Sequence, residues 1–174
     1  MANAGGIRAG DDPYVKPPDS IRLIIPFLPP SSNKIYVTDW RRKRRFKSSQ
    51  AQAFAKRFMQ EVVPPYLPWI SQMIGPEQDP TVLYSVFTDF YFPKNEVLNM
   101  SFGTGTKKAA KTRYKKMDTG NRFKLLHDCV AQALAIDDAH FFGIGGRKLA
   151  AESFNLDPQV HIFLTRQTPE VFGV

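Results

Sequence analysis

Residues 81–92 read TVLYSVFTDFYF, and β-branched and aromatic side chains fill most of the run. Such residues suit a pleated, buried surface, so one long strand is expected here. Upstream, Phe54, Phe58 and Val62 recur every four residues with Ala51 and Ala55 beside them, behind a serine cap at Ser48. That is the pattern of an amphipathic helix, ended by Pro64 and Pro65 and followed by a Pro-containing connection. Ile21 to Pro26 reads as a strand, and prolines at 26, 29 and 30 force the extended loop PFLPPSSN. Residues 1–19, rich in Gly, Pro and Asp, are expected to be a flexible tail ahead of one domain spanning 20–174. Downstream, residues 93–117 read as a loop, 119–135 as a second helix, and Phe141–Lys148 and Val160–Leu164 as further strands. The expected fold is therefore α+β, a mixed β-sheet packed against a few helices, rather than a doubly wound sheet.

The chain has 174 residues, 43% hydrophobic, enough for one core. Lys and Arg number 24 against 16 Asp and Glu, which points to a polyanionic partner or an anionic surface. A single cysteine, Cys129, can form no internal disulfide and no thiolate zinc site, so a cytoplasmic location is expected. Neither a signal-peptide h-region nor about 18 consecutive apolar residues occurs, which argues against a membrane location. His127, His140 and His161 show no metal-ligand spacing with Cys129, and Cys129 lies in no nucleophile motif.

Two runs hold half of the cations: Arg41, Arg42, Lys43, Arg44, Arg45 and Lys47, then Lys107, Lys108, Lys111, Arg113, Lys115 and Lys116. Such density suits phosphate-backbone binding, and neither run has the apolar face that a membrane surface would need. Trp40, Phe46 and Tyr114 lie among these cations, where they could stack on unpaired bases or simply anchor their loops to the core.

On the helix 119–135, Phe123, Leu126, Val130, Ala133 and Leu134 share one face. Asn121, Lys124 and Asp128 share the opposite face, with Asp118 at the helix entrance and the pair Asp137 and Asp138 just beyond its end. A turn there would return one of the paired acids towards Asp118. Converging carboxylates repel one another unless a divalent cation is present, and magnesium, a hard ion that prefers oxygen, suits them. Lys124 is placed to hold a scissile phosphate. The same acids serve equally well as a helix cap and a solvated turn, and both readings stand at this point.

Pro29-Pro30-Ser31-Ser32-Asn33-Lys34-Ile35-Tyr36, followed by a basic stretch and a serine-capped helix, resembles the N-terminal motif of the RusA family of Holliday junction resolvases. Asp118-Thr119-Gly120-Asn121-Arg122-Phe123-Lys124, followed by Asp128 and Ile136-Asp137-Asp138, resembles the catalytic stretch of that family. The likeness runs from about Leu23 to Leu164. It implies a homodimeric, Mg2+-dependent endonuclease, with Mn2+ as a possible substitute, that resolves four-way junctions by paired nicks in a bacterial or phage-infected cell. It also implies catalytic roles for Asp118, Asp138, Lys124 and Asn121, metal ligation by Asp118, Asp138, Asp137 and Asp128, and no small-molecule cofactor. Gly120 departs from the pattern, since the family carries an aspartate there. Either Asp137 or Asp128 replaces that ligand, or the chain is a non-catalytic protein that binds branched DNA.

Overall fold

The computed structural model of the chain describes residues 19–74, 81–105, 109–116 and 119–173. Six strands and four helices follow in the order β1 (Ser20–Ile25), β2 (Tyr36–Asp39), β3 (Arg44–Lys47), α1 (Ser49–Arg57), α2 (Leu67–Ile74), β4 (Leu83–Phe92), α3 (Lys94–Val97), α4 (Gly120–Leu134), β5 (Phe141–Ala150) and β6 (Gln159–Gln167). The main sheet has the order β1-β6-β4-β5, antiparallel at β1/β6 and β6/β4 and parallel at β4/β5. The α+β architecture expected from the strand and helix patterns is therefore present. The expected tail falls on residues outside those described, apart from Asp19, whose carbonyl accepts from the Arg166 N–H at 2.7 Å.

β4 is apolar almost throughout because it is an interior strand, paired on both edges. One face of the sheet is covered by helices. Ile21, Leu23 and Ile25 of β1 and Val160, Ile162 and Leu164 of β6 join Val86, Phe90 and Phe92 in a core with Phe58, Ile70, Met73, Leu125 and Leu126. Phe58, Phe90 and Phe92 are fully buried, each contributing about 1.5–3 kcal/mol by leaving water.

Ser48 caps α1, its hydroxyl accepting from the Ala51 N–H at 3.1 Å. Ala51, Phe54, Phe58 and Val62 are all buried, and the last turn widens to a π-helical bond from the Val63 N–H to the Phe58 carbonyl. Pro64 and Pro65 do end this helix, but α2 follows where the sequence suggested only a connection. Both prolines lie in a 3-10 turn, Pro64–Tyr66, that leads into α2, and at a helix start the missing N–H would have had no partner anyway. α2 then buries Ile70 and Met73.

α4 packs against both α1 and α2 as well as the sheet. Its buried stripe is accordingly wider than periodicity suggested: Leu125, Cys129 and Ala131 are buried alongside Leu126, Val130 and Leu134, while Phe123 and Ala133 lie at the margin. Phe123 stands edge-on to Phe90, with centroids 5.0 Å apart. β5 closes over this contact at Gly146, where any Cβ would collide with the Thr88 carbonyl and the Phe123 ring.

β2 and β3 form a separate two-stranded hairpin that the sequence suggested only as a basic stretch. Cations carry no strand signal, and the apolar pair Val37 and Phe46 is too short an alternation to announce one. Among the described residues, no helix is long and apolar enough to cross a membrane.

Candidate nucleic-acid interface and acidic site

α4 carries the polar stripe expected of it, with Lys124 exposed and Asn121 and Asp128 half-buried. From Asn121 to Asp128 the stripe runs about 10 Å, roughly three base steps of a duplex strand. Asp128 is paired: Lys47 at the root of the β2–β3 hairpin places Nζ 2.7 Å from its Oδ2. Burial alone would lower the Lys47 pKa, but the hydrogen bond and charge of Asp128 outweigh it and hold the lysine above its ordinary value. The first basic run is thus tied directly to the acidic helix.

α4 ends at Ala135 in the left-handed conformation, with the Ile136 N–H bonded back to the Ala131 carbonyl at 3.0 Å. The chain then turns at Asp137, whose Oδ1 accepts from the Ala139 N–H at 2.8 Å. Asp137 therefore acts as the turn residue that one sequence reading allowed. Asp138 opens the following 3-10 turn, Asp138–His140, and is exposed. That turn is fixed to the sheet by His140, whose Nδ1 lies 3.0 Å from the Val82 carbonyl.

His127 is buried against the Phe123 and Phe141 rings. Burial lowers its pKa, and the charges of Asp128 and Asp138 oppose that shift. Its Nε2 is buried and finds no hydrogen-bond partner among the described residues. Asp118 lies outside the described residues, as do Lys107 and Lys108. Among the described residues, no three His, Cys, Asp or Glu side chains gather closely enough to hold a metal ion. Asp128 and Asp138 carry hard carboxylate oxygens, the donor chemistry that suits magnesium.

The basic residues are exposed. Arg41, Arg42, Lys43, Arg44 and Arg45 are open to solvent on the hairpin, and Lys47 alone is half-buried. Lys111, Arg113, Lys115 and Lys116 are exposed on the loop leading to the start of α4. That loop is pinned to α3: the Lys115 N–H donates to the Val97 carbonyl at 2.9 Å, and Asn99 Nδ2 donates to the Thr112 carbonyl at 2.6 Å. The first basic run therefore meets α4 at Asp128, while the second is pinned beside α3. A cleft of about 290 Å3 between Lys94, Asn99, Phe102 and Arg113 opens beside the second run.

Burial pushes the Cys129 thiol up to about 12, so at neutral pH it is no nucleophile. Sequence reasoning passed over a second charged cluster on the face of the sheet away from α4. There Asp89, 1% exposed, accepts from Arg147 Nε at 2.8 Å and Nη2 at 2.6 Å. Beside it, buried His161 holds the Arg22 guanidinium at 2.9 Å and lies against the Tyr91 ring. The available signal was an acid inside an otherwise uncharged strand. Arg122 was also missed: it is buried in the first turn of α4, 4.8 Å above the Phe92 ring, and its Nε and Nη1 find no hydrogen-bond partner among the described residues.

No protein-family model matches the chain, and neither does any curated protein.

Proposed function

We propose that the protein is a Mg2+-dependent endonuclease of the RusA type that binds four-way DNA junctions as a homodimer and resolves them by paired nicks, in the cytoplasm of a bacterial or phage-infected cell. The observation that carries this reading is the Lys47–Asp128 bridge, which joins a cationic arm to the helix that bears Asp128 and so supports phosphate binding and acid chemistry on one surface. Asp118 and Asp138 would hold the cation, with Asp128 or Asp137 in support. When bound, the cation supplies an activated water and neutralises charge on the pentavalent phosphate. Lys124, exposed on the same stripe, binds a non-bridging oxygen of the scissile phosphate and steadies the leaving oxygen, and Asn121 orients that phosphate from one turn nearer the helix start. The exposed cations of both runs position the backbone without reading bases.

A second reading has its own support. Asp137 is engaged as a turn residue, Asp128 is paired with Lys47, and Gly120 brings no carboxylate, which favours a branched-DNA-binding protein without metal chemistry. One assay separates the two: a labelled synthetic four-way junction incubated with the protein, with and without Mg2+ or Mn2+. Symmetric, metal-dependent nicks support the enzyme. Tight binding without nicks supports the module, and preferential binding or cleavage of an RNA stem-loop rejects both.

A further inference from the structure

We propose that the β2–β3 hairpin is a stacking arm, whose tip residue Trp40 docks on bases unstacked at a DNA branch point while the surrounding arginines hold the flanking phosphates. This rests on the nucleic-acid reading above but does not require cleavage. Trp40 is 85% exposed, the most exposed large hydrophobic side chain among the described residues. A folded protein gains nothing by presenting an indole to water, whereas a ring at the end of an arm is suited to a flat apolar partner.

The tip is preset. Asp39 Oδ1 accepts from the Arg41 N–H at 3.0 Å and the Arg42 N–H at 3.2 Å, and Lys43 closes the turn at φ +50°. Little ordering entropy therefore remains to oppose docking. The arm is built from four cross-strand pairs, Tyr36–Lys47 to Asp39–Arg44, about 13 Å at ordinary strand rise. Its root is held by the Ser48 N–H on the Ile35 carbonyl at 2.8 Å, by Gln52 Nε2 on the Lys47 carbonyl at 2.9 Å, and by the Lys47–Asp128 pair. Arg45 lies over the Tyr36 ring at 4.3 Å, which braces one flank.

Charge selects the partner. Arg41, Arg42, Lys43, Arg44 and Arg45 follow Trp40 along the arm and are exposed, against the single acid of the arm, Asp39, which is already engaged by the turn. An intact duplex offers phosphates to these cations but no base face to the indole, since its bases are stacked. A branch point offers both. The arm therefore adds a preference for junction over duplex that phosphate contacts alone cannot give.

The test uses the full chain with Trp69→Phe, which leaves Trp40 as the sole tryptophan. Titration without divalent ions compares a four-way junction carrying 2-aminopurine at the branch with a linear duplex of matched sequence. Junction should quench Trp40 emission and change the 2-aminopurine signal, and duplex should do neither. In the native background, Trp40→Ala should weaken junction binding about tenfold, with duplex binding changed less than about twofold and Trp40→Phe retaining most of the affinity. Equal losses on junction and duplex, no loss on junction, or tighter binding to anionic phosphatidylglycerol vesicles than to junction would overturn the proposal. If wild-type protein binds and nicks junctions while Trp40 stays silent, only the arm is wrong; if it binds no DNA, the broader reading falls with it.

Discussion

Two carboxylates, Asp89 and Asp128, are each bound by a cation, and the two pairs are built for different ends. Asp89 is sealed on the face of the sheet away from α4 and receives two parallel bonds from the Arg147 fork. Asp128 is half-buried on the polar stripe of α4 and meets one lysine, whose charge is a point rather than a fork. The first carboxylate has lost its water and depends on its partner. The second stays within reach of solvent, so another cation or a water can replace Lys47 with little loss. A buried, doubly bonded acid is a structural device; an accessible, singly bonded one is available to ligands.

The sharpest way to break this contrast is Asp138→Asn, beside Asp118→Asn. Each should cut junction nicking by more than about 100-fold, since even outer partners of a metal site cost 10–100-fold, while gel-shift affinity stays close to wild type. Full nicking by either purified variant would sink the acidic site. Next in size, Asp89→Asn should lower unfolding free energy in urea by about 2 kcal/mol and leave junction binding unchanged, whereas Asp128→Asn should cost less than about 1 kcal/mol. Equal destabilisation by the two would erase the distinction drawn between the pairs.

Salt dependence offers a third comparison. Replacing Arg41, Arg44 and Arg45 with alanine should flatten the log–log salt slope of junction binding by up to about 2.7, at roughly 0.9 per lost phosphate contact. Arg22→Ala with Arg147→Ala, on the other face of the sheet, should leave the slope as it is. A change in the second set would move DNA to the opposite face.

The smallest expected effect is with pH. Burial, reinforced by Arg22 and opposed by Asp89, holds His161 below its ordinary value, and burial does the same to His127 against Asp128 and Asp138. Between the folded value and about 6.5 the unfolded chain binds protons that the folded chain does not. The stability contributed by the neutral imidazoles is complete above about pH 6.5 and is lost as pH falls through the folded values. Calorimetric Tm should therefore drop on acidification below pH 6.5, and less steeply in His161→Gln and His127→Gln; slopes matching wild type would assign the acid sensitivity elsewhere.

Much of the fold follows from local signals. The β-branched and aromatic run at 81–92 marks β4, the fourfold spacing of Phe54, Phe58 and Val62 marks the helix behind Ser48, and the polar stripe of α4 is visible residue by residue. Each depends on a period that neighbouring residues supply by themselves. α2 was hidden because two prolines look the same whether they stop one helix or start another.

Tertiary structure alone decided which charges meet. Asp89 finds Arg147, the Lys94 N–H finds the Glu152 carboxylate and Val82 finds His140 because β4 and β5 run parallel, and each of these bonds spans the same 58 residues. Lys47 reaches Asp128 because the hairpin root and α1 pack beside α4. A charge has no period and no preferred sequence distance for its partner. The sequence therefore named the acids in and around α4 and the density of cations, whereas only the packed sheet and helices determined that Asp128 faces a lysine, that Asp137 is used as a turn residue, and that Trp40 is exposed at the end of an arm.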